Sequence, residues 1–172
     1  MLNQELSITY LETKTLRPWA RNPRHNDQTA ELLVRLISRF GFIVPIEAQA
    51  EKRSGKHRVI NGHARLKAAH LLDMDVVPVI LLDVDDEIAA EIALTDNKAS
   101  ELARWDNYYL SEIMESRSQE HWEWLGFEQR DFERVSDEVK DFGPLERTEI
   151  EGEFAREPRP PKTCPHCGEE LQ

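Results

Sequence analysis

Val59-Ile60-Asn61-Gly62-His63-Ala64-Arg65-Leu66-Lys67-Ala68-Ala69-His70-Leu71-Leu72 is the stretch from which the rest of the chain is read. Two β-branched residues close what reads as a strand, Asn61-Gly62 makes a tight turn, and an alanine-rich helix begins at once. Gly62 lets the backbone approach a ligand closely. The first amides of the following helix have no intrahelical acceptor, and the helix dipole favours an anion there. Arg65 and Lys67 stand one turn inside the helix. The pattern suits a phosphate or another small oxyanion. It is not a Walker loop, which needs a longer glycine-rich run before Lys-Ser/Thr, and a single glycine is too few for the dinucleotide fingerprint.

Working outward, residues 7–11 alternate as a short strand and 12–16 read as a turn. Residues 17–24 (Arg-Pro-Trp-Ala-Arg-Asn-Pro-Arg) form a loop, because two prolines resist both helix and ladder. Asn26 or Asp27 caps a helix whose Leu32, Leu33, Leu36, Ile37 and Phe40 share one face, with Gly41 as its stop. Val44, Ile46 and Ala48 alternate as a strand, and 57–60 return as its hairpin partner. The helix after Gly62 buries Leu66, Ala69 and Leu72. Residues 76–82 form a buried strand, in which Pro78 points to an edge or a bulge. Asp85 or Asp86 caps a helix through Leu94, and Asp96-Asn97 reads as a helix terminus. Beyond it, Asp106 caps a helix carrying Tyr109, Leu110, Ile113 and Met114. A further helix near 128–139 carries Phe132, Val135 and Val139. Trp105 and Trp124 read as packing residues. After Phe142 the chain turns to glycine, proline and acidic residues, a composition that buries little.

The fold class expected is α+β: a small mixed sheet with packed helices over residues 1–95, a helical extension over 96–142, and an acidic, proline-rich tail over 143–172. The 172 residues are 40% hydrophobic, enough for one core with an appendage. No apolar run is long enough to span a membrane, and residues 1–7 do not read as a secretion signal. Two cysteines in all suit a reducing cytoplasm. Net charge is −11 but unevenly placed: residues 1–70 hold 12 Lys and Arg against 6 Asp and Glu, and residues 71–172 hold 10 against 27. So acidic a chain does not coat DNA over its whole surface, whereas the basic N-terminal half can hold a nucleotide or a nucleic-acid segment.

The ordered set of signals resembles the ParB/sulfiredoxin superfamily. It comprises a short strand, the Asn22-Pro23-Arg24 loop, a helix ending in Gly41-Phe42, a Pro45-Ile46 strand, the strand–Gly62-x-x-Arg65–helix unit and a Val77-Pro78-Val79 strand. It is most similar to ParB-like domains of phages and mobile elements found beside or fused to DNA methyltransferases, through Leu94-Thr95-Asp96-Asn97-Lys98, Trp105-Asp106 and Trp124-Leu125-Gly126-Phe127. The resemblance spans about residues 6–140.

It implies a ligand site built from Asn22, Arg24, Gly62, His63, Ala64 and Arg65, with Asn97 and Lys98 nearby. The ligand implied is a nucleoside triphosphate, CTP or ATP, with magnesium. Partition ParB proteins carry Gly-Glu-Arg-Arg at the triphosphate. Here Gly62 and Arg65 match, but His63 replaces the glutamate and Ala64 the first arginine, which favours binding over turnover. Sulfiredoxin's catalytic cysteine also falls at His63, so its chemistry is not expected. His63 is read as a hydrogen-bond donor, a general acid/base near neutral pH, or a structural filler. Arg24 offers a bidentate fork to phosphate, or else an ion pair to the acidic helices.

Cys164-Pro165-His166-Cys167 has the shape of half a zinc site. Four ligands are needed for tetrahedral zinc, so Cys164 and Cys167 would have to be completed by another chain, a remote histidine or a partner protein. The function expected is a nucleotide-binding, DNA-associated adaptor working with a DNA-modifying enzyme such as a methyltransferase, with a homodimer as a further assembly. A ParB-like nuclease or small-molecule kinase, and an interaction protein with a vestigial pocket, are the competing readings.

Overall fold

A computed structural model describes residues 5–51 and 55–142. The elements are β1 (Ile8–Glu12), a 3-10 turn (Thr13–Thr15), β2 (Leu16–Arg17), α1 (Asp27–Phe40), β3 (Ile46–Gln49), β4 (His57–Asn61), α2 (His63–Leu71), β5 (Val76–Leu82), α3 (Asp86–Leu102), α4 (Asn107–Glu115), α5 (Gln119–Leu125) and α6 (Gln129–Phe142). The α+β class is thus observed.

The five strands form one mixed sheet in the order β1-β5-β3-β4-β2. β1–β5 and β3–β4 pair antiparallel, while β3–β5 and β2–β4 pair parallel. Alternation along the strands separates two faces. Val59, Val77, Val79, Ile46 and Ala48 pack with Leu66 and Ala69 of α2. Ile60, next to Val59, and Leu82 pack on the opposite side with Ala89 and Ala93 of α3. Ile46, Val59, Val77 and Val79 are fully buried, each contributing roughly 1.5–3 kcal/mol. This fixes the end of β4, and therefore the turn at Gly62, in a rigid part of the molecule.

The sheet is strongly curled. β1 and β2 occupy its two edges. A flat sheet would separate edge strands by four spacings of about 4.8 Å, roughly 19 Å. The chain between Glu12 and Leu16 can reach only about 14 Å. Thr13 cinches the curl, donating its N–H to the Asp75 carbonyl at 2.8 Å and its hydroxyl to the Met74 carbonyl.

The extension α4–α6 has its own small core of Leu110, Met114, Trp122 and Val135. Trp122 donates Nε1–H to the Met114 carbonyl at 2.6 Å and stacks on Phe132 with ring centroids 4.3 Å apart. Against the first unit, Trp124 sets its ring edge to Phe40 at 5.8 Å, with the Arg39 guanidinium 4.8 Å over its face.

Several expectations are corrected. Pro78 lies in an interior strand, and the β1–β5 register is unbroken; the irregularity falls one strand away, at Glu47/Ala48. Asp96-Asn97 does not end a helix: α3 runs 17 residues through it, because Asn97 turns its side-chain amide back onto the Ala93 carbonyl at 2.7 Å instead of capping. In α4 the inward residues are Leu110, Ser111 and Met114, leaving Tyr109 and Ile113 exposed. Phe40 is 54% exposed, resting on Trp124, and Trp105 is 67% exposed. Asp85 and Asp106 are caps as expected, accepting from Ile88 and from Tyr108 and Tyr109.

Candidate anion-binding site

β4 feeds into α2 through Gly62, whose φ of +94° lies in the left-handed region that disfavours side chains. The first helical bond runs from Leu66 N–H to the Gly62 carbonyl at 2.9 Å. The amides of His63, Ala64 and Arg65 therefore precede the helical ladder, and they gather at one corner. Arg65 curls back over this corner: a Cβ on Gly62 would lie 3.3 Å from its Nη1 and 3.4 Å from the Ile46 backbone. The Arg65 side chain is half-buried, and no described residue forms an ion pair or hydrogen bond with it. A partly desolvated guanidinium above free amides is a strong attractor for an oxyanion.

The loop after β2 closes the other side. The Trp19 N–H donates to Nε2 of His63 at 3.1 Å, tying the loop to the first turn of α2. Burial lowers the His63 pKa below its ordinary value by disfavouring the imidazolium. The Asn22 N–H bonds the Trp19 carbonyl at 3.0 Å, and Asn22 Oδ1 accepts from the Arg24 N–H at 3.3 Å, so Trp19, Asn22 and Arg24 are held in one turn. Asp27 at the start of α1 pairs with Lys67 of α2; this hydrogen bond, and then the lysine charge, hold the Asp27 carboxyl below its usual range.

Between these elements lies a cleft of about 380 Å³, lined by Trp19, Asn22, Arg24, His63, Leu66 and Lys67 among others. Pockets of roughly 300 Å³ and more take small ligands. A larger hollow of about 550 Å³ lies across the Trp19 segment, against Arg17, Arg21 and Arg58. Two of its arginines are paired, Arg17 with Glu51 and Arg58 with Asp86 at 2.8 Å. The smaller cleft reaches the first turn of α2 through His63, next to Gly62 in sequence, which makes it the better candidate.

Of the residues read from the sequence, Gly62, His63, Ala64 and Arg65 form the corner, and Asn22 and Arg24 reach the same cleft as His63. Arg24 is engaged by Glu101 at 3.1 Å, and Lys98 binds the other oxygen of that carboxylate at 3.1 Å. Lys98 and then Arg24 hold the Glu101 carboxyl below its usual range. Lys98 thus joins Arg24 through Glu101 and does not line the cleft, while Asn97 is turned onto its own helix. Sequence reasoning missed Trp19 as a wall residue and the Asp27–Lys67 pair; the only available signal was an aromatic inside a proline-rich loop. Cys164 and Cys167 lie outside the described residues, and among the described residues no group of three His, Cys, Asp or Glu is placed to hold a metal.

Comparison with known proteins bears on the fold and the family. The model of the ParB N-terminal domain matches residues 2–98. The Escherichia coli K12 ParB-like nuclease domain-containing protein YnaK is 37% identical over 82 residues, 47% of this chain and 88% of YnaK. The nucleoid occlusion protein of Halalkalibacterium halodurans is 32% identical over 92 residues, 52% of this chain but only 32% of that protein. The truncated Caulobacter crescentus chromosome-partitioning protein ParB, complexed with CTP-gamma-S, has the same fold, with a TM-score of 0.62 at 19% identity over 87% of this chain and 88% of that one. No described helix is long and apolar enough to cross a membrane. With a domain match over more than half its length, this chain belongs to the ParB N-terminal domain family.

Proposed function

We propose that this chain is a nucleotide-binding, DNA-associated module, which takes a nucleoside triphosphate with its phosphates at the Gly62 corner. The observation that carries this reading is Arg65, a half-buried cation with no partner among the described residues, curled over the amides that open α2. CTP is the first candidate, since the Caulobacter ParB of the same fold was crystallised with CTP-gamma-S; ATP is the second. The nucleoid occlusion relatives support the association with DNA. Magnesium enters this reading as an ion carried by the triphosphate. A DNA-modifying enzyme as partner rests on the sequence resemblance, and the separately cored α4–α6 extension is the part offered to it.

Titration calorimetry with CTP, ATP and GTP in magnesium tests the reading. One nucleotide should bind, and Arg65→Ala should weaken it roughly ten- to a hundredfold, the value of a hydrogen bond to a charged group. No heat from any of the three rejects the proposal.

A further inference from the structure

We infer that His63 is a titratable clasp: its Nε2 holds the Trp19 segment closed over the cleft, and protonation of that atom releases it. The geometry is specific. Nε2 accepts the Trp19 N–H at 3.1 Å, so the lone pair is in use and the ring carries its proton on Nδ1. An imidazolium has hydrogens on both nitrogens and accepts nothing. One proton therefore turns an attraction into a clash of two donors at the point where the loop meets α2. Trp19 in turn receives the Asn22 N–H on its carbonyl, and Asn22 fixes Arg24, so releasing Trp19 loosens the whole cleft wall.

The charged surroundings reinforce this. The titratable and charged groups lining the cleft with His63 are Arg24 and His25 from the loop, Asp27 from α1, and Lys67 and His70 on its own helix. Asp27 is already paired with Lys67, and Arg24 is held by Glu101 of α3. Both carboxylates are thus engaged, and neither is free to stabilise an imidazolium at His63. Burial lowers the His63 pKa, so the clasp's stabilisation is present at and above the ordinary value of 6.5 and is lost as pH falls through the lower value of the folded protein. With Nε2 engaged by the Trp19 N–H, His63 acts as a positioning residue and offers no free base to the cleft.

The consequence for binding rests on the nucleotide reading, but the clasp itself does not, and the experiment separates them. Histidine ¹⁵N spectra of the full chain and hydrogen exchange of the Trp19 amide are followed from pH 8 to pH 5, with exchange corrected for its intrinsic pH dependence. The expected result is an Nδ1–H tautomer at pH 8, and a Trp19 protection factor that falls at least tenfold as His63 protonates. His63→Gln, whose Oε1 accepts without titrating, should keep Trp19 protected throughout the range, and His63→Ala should leave it unprotected throughout. If a nucleotide binds, its affinity should fall with the His63 titration in the wild type and stay level in His63→Gln. An Nε2–H tautomer, or Trp19 protection that ignores the His63 titration, overturns the clasp whether or not nucleotide binds. A titrating clasp with no nucleotide bound overturns only the nucleotide reading.

Discussion

Replacing Gly62 with alanine tests the corner most directly. The φ of +94° puts an alanine Cβ against the following backbone, at a cost of about 1–2 kcal/mol for a left-handed L-residue. The new methyl also meets Ile46 Cα and Cγ1 at 3.4 Å and Arg65 Nη1 at 3.3 Å. Ile46 is fully buried in the centre of the sheet and yields little, whereas Arg65 is flexible and gives way. The total is about 1–3 kcal/mol of stability, or roughly 1 M off the urea midpoint for a typical slope near 2 kcal/mol/M. Displacing Arg65 also removes the cation from the corner, so nucleotide affinity should fall more than tenfold. Gly62→Asn divides the two contributions, because asparagine tolerates left-handed φ but keeps the crowding. It should recover part of the stability and little of the affinity. An alanine variant within 0.5 kcal/mol of wild type in urea, with unchanged affinity, would refute both the backbone argument and the placement of Arg65.

Two further outcomes are expected. Glu101→Gln frees Arg24 and Lys98 together, and since all three side chains are at least 42% exposed, the melting temperature should stay put while nucleotide binding tightens, more so at low salt; calorimetry at two ionic strengths reads this. Trp122→Ala removes the stacked ring and the bond to Met114, a loss of about 3–5 kcal/mol. Because α4–α6 has its own core, limited trypsin digestion should degrade that region, with Arg104 in the connection as a cut site, while a fragment up to α3 persists.

What could be read from the sequence was local. Val59 to Leu72 announces strand, turn and helix in order because each signal lies within a few residues of the structure it specifies. β2 was missed because its two residues alternate over nothing; they form a strand only by pairing with His57 and Arg58 far along the chain. Pro78 misled because strand position depends on the order of pairing, which composition does not encode. Among the extension's tryptophans, the buried one is Trp122, on a seven-residue helix too short to show a period. At the site, Gly62 and Arg65 were legible from turn chemistry. The Trp19–His63 bond was not, since a backbone donor leaves no mark in the sequence.

The cinched sheet has a consequence for biogenesis. The first strands synthesised are the two margins of the sheet, and their partners come much later: β2 needs His57 and Arg58, and β1 needs Val76 to Ile80. A nascent chain that stops short of Leu82 has nowhere to seat its own beginning, and the Trp19 segment hangs from one of those unseated margins. Such late, distant pairings are slow to form. Ligand capture is therefore among the last properties acquired on the way out of the ribosome, and prematurely terminated products would arrive without it.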